Sequence, residues 1–501
     1  MGSQSPSEWQ PLLLRVGPAG DSGRSSGQVS VFGKDSQRRD NGRWYATMLL
    51  LNYMIGSGIL NQAQVFSSSG IAAAAVLYIL SGVAIYWGLL LLIQAGERVL
   101  AGRRSWLAAT IDSGPSHVYF VRCLGRGAGT LVSGRQASAT CVYGPRGAHA
   151  VDLSIMVANF GSCLSYAIVV GVLVQSLLAE WTGASESTFS LFAVIPALWT
   201  LLVLPLCLIR HFSNLRFFAI MSLTAVLIAW LMVVIGGPIY AEEQGIFDDD
   251  STVDTSLVWW SWLGMGTKSG SVVFALSSAA VAFHTYGSMY PREERLWQTV
   301  SGWAVGVGCV MCASIGLAGY LSFRSSTEAD ILDNFDGLVA SVVKFIIACH
   351  LILYIPNEIV VLRHSLISLF GGDVMKMDAC PVFLVTAGVL GSIAGLVLGL
   401  VAWGVAEGDI FGYCLDLTGG VAGGFISFIF PAFFYLRVTE RDAQQERARA
   451  VTGTVGGGGG GGGDDRKSSV LRMRLYAKVL GAFGIAVLIL VPVSIALEES
   501  L

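Results

Sequence analysis

Apolar and polar positions separate along this chain into long blocks rather than short amphipathic periods. Roughly 20 consecutive apolar residues let a helix cross a bilayer. Eleven such stretches occur, at about 46–69, 71–93, 153–178, 189–209, 217–237, 271–290, 299–321, 338–362, 382–404, 410–436 and 475–497. Each is predicted to be a helix. Residues 1–43 are rich in Ser, Gly and Arg with no apolar core near Met1, which predicts a disordered tail and no cleaved signal. Residues 98–152 are Gly- and Arg-rich without periodicity and are expected to form an irregular loop. Residues 438–474 open with a charged, helical run and pass through eight glycines, Gly456 to Gly463, a flexible tether. The tether sets 475–497 apart from ten helices that divide as five and five, over residues 44–240 and 271–437.

Composition agrees with a lipid-embedded bundle. Hydrophobic residues make up 53% and charged residues 13%, about half the charge of a soluble surface. The expectation is an all-α polytopic membrane protein. Lys and Arg collect on the cytoplasmic side of such proteins. With the N-terminus inside, six basic residues fall in the tail, seven between Arg98 and Arg146, and nine between Arg437 and Lys478. Only Lys268 and Arg324 fall in predicted outer loops, and Lys344 is expected to snorkel to the outer interface. Asp416 is expected at that interface too. No cysteine falls in a predicted outer loop, so no structural disulfide is expected, and Cys309 and Cys312 read as helix packing. The sequence has no phosphate loop, metal cluster or nucleophile constellation, which argues against an enzyme, a cofactor or a nucleic-acid partner.

Two helices carry signs of a break. The first reads Asn52-Tyr53-Met54-Ile55-Gly56-Ser57-Gly58-Ile59-Leu60-Asn61-Gln62. Glycine at two positions in three weakens a helix by roughly 1 kcal/mol each relative to Ala. The sixth reads Leu276-Ser277-Ser278-Ala279-Ala280-Val281-Ala282-Phe283-His284-Thr285-Tyr286-Gly287, small residues around a histidine near mid-membrane. Interrupted segments at matching places in two halves point to a midplane site. Unwinding leaves N–H groups free for a carboxylate and carbonyls free for an ammonium group or a cation. Such backbone is tolerated at that depth only around a protein-lined cavity.

These segments resemble the amino acid/auxin permease family. Asn52, Gly56, Gly58, Ile59, Leu60, Phe66 and Gly70 match its first-helix pattern, with Ala63 in place of the usual proline. Asn159-Phe160-Gly161-Ser162 with Ser165-Tyr166, Leu204-Pro205-Leu206, and Ser213-Asn214-Leu215-Arg216 resemble its third and fourth helices. Phe283-His284, Gly319-Tyr320-Leu321, Tyr354 with Pro356, Glu358 and Arg363, and Pro431-Ala432-Phe433 continue the order; residues 133–150 have no counterpart. The resemblance implies a LeuT-like 5+5 inverted repeat plus one extra C-terminal helix, acting as a secondary transporter of amino acids by alternating access. It implies a substrate site at Ile55, Gly56, Ser57, Gly58, Ala282, Phe283 and His284, with Asn52, His284 and Glu358 serving the coupling ion.

Relatives couple to Na⁺ or to protons. The positions two and four before Pro356 are Tyr354 and Ile352, so the hydroxyl ligand of a sodium site is missing. The expectation is H⁺ over Na⁺, or facilitated exchange, with His284 as leading proton carrier. Other readings are a nutrient-sensing transceptor, or a permease for an auxin-like or polyamine solute. Glu8, Leu12 and Leu13 form an acidic dileucine pattern that resembles a signal read by sorting adaptors for the vacuole, lysosome or endosome; the plasma membrane is the alternative. The chain is expected to act as a monomer with its C-terminus outside or lumenal.

Overall fold

A computed structural model describes residues 32–111, 133–185, 188–208, 215–247, 253–289, 293–370, 377–451, 463–498 and 500. Residues 1–31, with the dileucine pattern, and most of the glycine run lie outside these, whereas residues 32–43, expected to be part of a disordered tail, are helical. All regular structure among the described residues is helical. Among the described residues, nine helices are long and apolar enough to cross a membrane.

The two remaining predicted spans are broken. Helix α1 (Phe32–Met54) stops before Gly56, and the chain makes a tight 3₁₀ turn at Ser57–Ile59 before α2 (Gln62–Ser69). Helices α3 (Ile71–Ile111) and α4 (Ser133–Thr182) follow. They run helically through much of the segment expected to be irregular. Helix α5 (Leu191–Leu208) contains a π turn at Trp199–Val203, and α6 continues from Leu215–Leu231 through a second π turn into Gly237–Glu243. Helix α7 (Trp262–Leu276) ends at Ser277, which is extended, and α8 (Ala282–Ser288) resumes after a short unwound stretch. Helices α9 (Glu294–Phe323), α10 (Leu338–Leu369), α11 (Ala379–Ala402), α12 (Glu407–Ala448) and α13 (Gly463–Glu498) complete the bundle.

Packing places the broken helices at the centre. Helix α2 lies against α7 and α9, α7 against α12 and α13, and α4 against α10. Glycine permits the closest approach. A Cβ on Gly58 would stand 2.9 Å from Phe274 Cδ1 and 3.1 Å from Ala275 Cα, so the first break can touch α7 only because that residue has no side chain. One on Gly161 would fall 1.9 Å from Thr418 Oγ1, where α4 crosses α12. The substituted proline position, Ala63, is buried in the first turn of α2. Proline suits that turn because its missing N–H has no helical partner. Here Gln62 anchors the turn instead, its Nε2 donating to the Gly58 carbonyl while its Oε1 accepts from Tyr78 Oη.

Three expectations about charges are corrected. Lys268 lies inside α7, not in a loop, and is buried against Asp416. Asp416 is fully buried rather than interfacial. Lys344 is also buried, its Nζ 3.4 Å from Ser176 Oγ. An apolar count starts the sixth span at 271, too late, because Thr267, Lys268 and Ser269 look like a loop. Neutralised by a partner, they fit within a helix.

Candidate substrate site

A cavity of about 60 Å³ lies between the two breaks. Gly56 borders it from the first break; Ser277 and Ala280 border it from the second. Tyr53 and Met54 close it from α1, Ser162 and Tyr166 from α4, Tyr354 and Glu358 from α10, and Thr418 from α12. About 60 Å³ is small beside the roughly 300–1,000 Å³ of a drug-sized ligand pocket, so a bound solute is either small or admitted by movement of the walls.

The break geometry frees backbone groups. Gly56 has φ −108° and ψ −146°, outside the helical region, and its N–H turns back to the Met54 carbonyl at 3.2 Å. Ile59 and Leu60 N–H groups close the 3₁₀ turn on Gly56 and Ser57 carbonyls. The first N–H groups of such a turn have no partner within it. At the second break, Val281 N–H reaches Ser278 O at 3.1 Å, and Ser278 Oγ is buried without a hydrogen-bond partner among the described residues.

The expected site residues divide by position. Gly56 and Glu358 line the cavity. Ser57 is buried behind it and shares a hydrogen bond with Ser165 Oγ at 3.1 Å. Ile55 and Ala282 are packed in the apolar core, and Gly58 lies against α7. The Phe283 ring sits over Gly96 of α3, away from the cavity. His284 belongs to α8, but its side chain lies outside the described residues. Asn52 Oδ1 is buried with no hydrogen-bond partner among the described residues. Tyr53, Ser162, Tyr166, Tyr354, Ser277 and Thr418 also line the cavity, and sequence reasoning did not assign them a role. Two of them, Tyr166 and Tyr354, stand edge to face with centroids 6.0 Å apart. Both fall in motifs already visible in the sequence, so motif membership was the available signal.

Polar contacts close the bundle on both sides of the cavity. On one side, Lys268 Nζ lies 2.9 Å from Asp416 Oδ2 and donates to Gln64 Oε1 at 3.1 Å. Asp416 Oδ1 accepts from Ser271 N at 3.1 Å and Ser271 Oγ at 2.6 Å. Asn61 Nδ2 donates to Gln64 Oε1 at 2.8 Å and to the Ala329 carbonyl at 2.9 Å, while Ile331 N donates to Leu60 O at 3.1 Å. The network thus ties α2, α7, α12 and the segment after α9 together. On the other side, Arg98 pairs with Asp442 at 3.3 Å, Tyr286 Oη donates to Glu97, and Gln94 Nε2 donates to Glu294. That second set is half exposed, and exposed pairs contribute roughly 0–1 kcal/mol. The first set is dry.

Beyond the membrane-spanning helices, Asp330 is buried and its carboxyl is pushed up to about 6, chiefly by desolvation, with the Leu332 N–H and Lys344 opposing the rise.

Residues 39–454 match the family model described as Transmembrane amino acid transporter protein. Sodium-coupled neutral amino acid transporter 7 of Xenopus laevis is 26% identical over 319 residues, covering 62% of each chain. Amino acid transporter AVT6D of Arabidopsis thaliana is 30% identical over 59% of this chain and 69% of its own. Vacuolar amino acid transporter 7 of Saccharomyces cerevisiae is 21% identical over 62% of this chain and 56% of its own. The matched part therefore spans about three fifths of the length of these curated relatives. Among solved structures, the manganese transporter of Eremococcus coleocola aligns with 94% of this chain and 97% of its own at 10% identity, with a TM-score of 0.43.

Proposed function

Since this chain belongs to the transmembrane amino acid transporter protein family, we propose that it carries amino acids across a membrane by alternating access around the cavity between its two helix breaks. The observation that carries this reading is the meeting of both breaks at one buried space that also holds a carboxylate, Glu358. The substrate's carboxylate docks on the N–H groups near Gly56 and Ser57, with the backbone around Ala282 to His284 framing the second break. Helices α1–α2 and α7–α8 count as single interrupted spans, giving eleven crossings: a 5+5 inverted repeat followed by α13. The basic segments place the N-terminus inside and the C-terminus outside or lumenal. The Lys268–Asp416 network is then the outer closure, and the Arg98–Asp442 group the inner one.

We assign coupling to protons, with Asn52, His284 and Glu358 as the residues that serve it. Tyr354 and Ile352 offer no hydroxyl of Ser or Thr type before Pro356. Support for a vacuolar or lysosomal membrane comes from the Glu8, Leu12 and Leu13 pattern, read by sorting adaptors, and from the yeast relative's name. Uptake of the twenty L-amino acids into proteoliposomes, under a proton gradient or a sodium gradient alone, tests the proposal. Saturable uptake driven by the proton gradient is expected. Flux driven only by sodium would overturn the coupling assignment, and binding without flux would point to a sensor.

A further inference from the structure

The small cavity at the helix breaks has a larger neighbour. Between α6 and α10 lies a second space of about 380 Å³, within the roughly 300–1,000 Å³ of ligand pockets. Tyr354 lines both spaces. Its ring stands 6.0 Å from that of Tyr166, which borders the first space, and 5.9 Å from the imidazole of His350, which borders the second. Tyr166 in turn adjoins the first break, since a Cβ on Gly56 would stand 3.1 Å from its hydroxyl. A line of side chains thus runs from Gly56 through Tyr166 and Tyr354 into the second space. The Tyr354 side chain is the partition.

The second space is apolar with two exceptions. Ile228, Ile346 and Leu353 supply hydrocarbon wall, and Thr224 satisfies its hydroxyl on the Ile220 carbonyl at 2.9 Å. Ser222 and His350 are 4% and 7% exposed, and Ser222 Oγ and His350 Nε2 have no hydrogen-bond partner among the described residues. Buried polar atoms left in this way carry the full cost of their desolvation and call for a partner. The rim at Ile220 and Phe345 is exposed, on the side that lipid would cover. An acyl chain entering there would leave both polar atoms unpaired.

We propose that this space receives the side chain of an aromatic amino acid with a polar edge, tyrosine or tryptophan, once Tyr354 changes rotamer to admit it. This deepens the amino-acid transport reading above and rests on it. With the substrate's carboxylate at the N–H groups near Gly56, its side chain follows the line through Tyr354 between α6 and α10. A phenol O–H donates to His350 Nε2 while its oxygen accepts from the Ser222 hydroxyl. An indole N–H donates to the same nitrogen and leaves the serine unused. A phenyl ring pairs neither atom. Sites that hydrogen-bond a substrate group disfavour the analogue lacking it, because their own polar atoms are then stranded. Tyrosine and tryptophan therefore rank ahead of phenylalanine.

The test is counterflow of the twenty L-amino acids by the full chain in proteoliposomes. Tyrosine and tryptophan are expected among those exchanged, each with higher apparent affinity than phenylalanine. Ser222→Ala should lower the tyrosine-to-phenylalanine affinity ratio about threefold to tenfold, the worth of one neutral hydrogen bond, and spare the tryptophan-to-phenylalanine ratio. His350→Leu should lower both ratios. A ratio taken within one preparation does not depend on how much of the chain has folded, and a merely structural role would not move it selectively. Unchanged ratios in both variants, or exchange of other amino acids without tyrosine and tryptophan, would overturn the inference and leave the transport reading standing. So would a co-purified lipid, seen by native mass spectrometry, that His350→Leu removes without changing either ratio. Absence of counterflow for all twenty would instead remove the transport reading, and this inference with it.

Discussion

Lys268 and Asp416 offer the sharpest energetic test of the fold. Their side chains are 7% and 0% exposed and 2.9 Å apart, and they join α7 to α12. Deleting one member of a buried ion pair costs roughly 3–5 kcal/mol, because the survivor stays buried and unbalanced. The two members have unequal fallbacks. Asp416 stripped of Lys268 retains the Ser271 N–H and Oγ donors. Lys268 stripped of Asp416 retains Gln64 Oε1. Asp416→Leu is therefore expected to destabilise more than Lys268→Met. The double variant is expected to cost less than the two single changes summed, with a coupling energy of about 0.5–3 kcal/mol in a double-mutant cycle. Unfolding of the purified chain in mild detergent measures all four corners. If each single change costs under about 1 kcal/mol and the effects simply add, the pair is not the dry, sealed contact described. A second readout is local. Loss of the pair should speed labelling of a cysteine placed at Ser277 by a thiol reagent added on the Lys268 side.

Three further outcomes follow from the same geometry. Gly58→Ala should cost about 1–3 kcal/mol by overpacking against Phe274 and Ala275, and Gly58→Val should abolish uptake while the chain still reaches the membrane. Asp330 is held above its unfolded value of 3.8, at about 6, so the stability it contributes is full below pH 3.8 and is lost as pH rises through about 6. Asp330→Asn should thus raise the melting temperature at pH 7, with the gain vanishing by about pH 4; an equal gain at both would refute the linkage. Ser165→Ala removes the Ser57 Oγ contact at 3.1 Å and is expected to weaken substrate affinity several-fold with stability changed by less than about 1.5 kcal/mol.

Much of the architecture was legible because membrane spanning is written in hydropathy, and both breaks were legible because small-residue runs fall at matching places in the two halves. Gly56 was placed at the cavity on that ground alone. Glu358 came from a motif. What stayed hidden was pairing. Nothing in the order of residues announces that Lys268 meets Asp416, 148 positions away, and without that partner a lysine is rightly expected in a loop. The same holds for Lys344, which looks like an interfacial residue until Ser176 and Asp330 are seen beside it. Phe283 illustrates the opposite limit: a motif gives its place in the chain but not its direction, and the ring points to Gly96. The aromatic walls formed by Tyr53, Tyr166 and Tyr354 come from three helices, α1, α4 and α10, that meet only in three dimensions.

Substrate protection at Ser277 tests the central claim most directly. A Ser277→Cys chain in proteoliposomes is exposed to a thiol reagent with and without each of the twenty L-amino acids, and modification at that position is followed by mass spectrometry. Amino acids that are transported should slow its modification at concentrations near their half-saturation, and amino acids that are not transported should leave it unchanged. Equal modification rates with and without a transported amino acid would place the solute elsewhere and contradict the account.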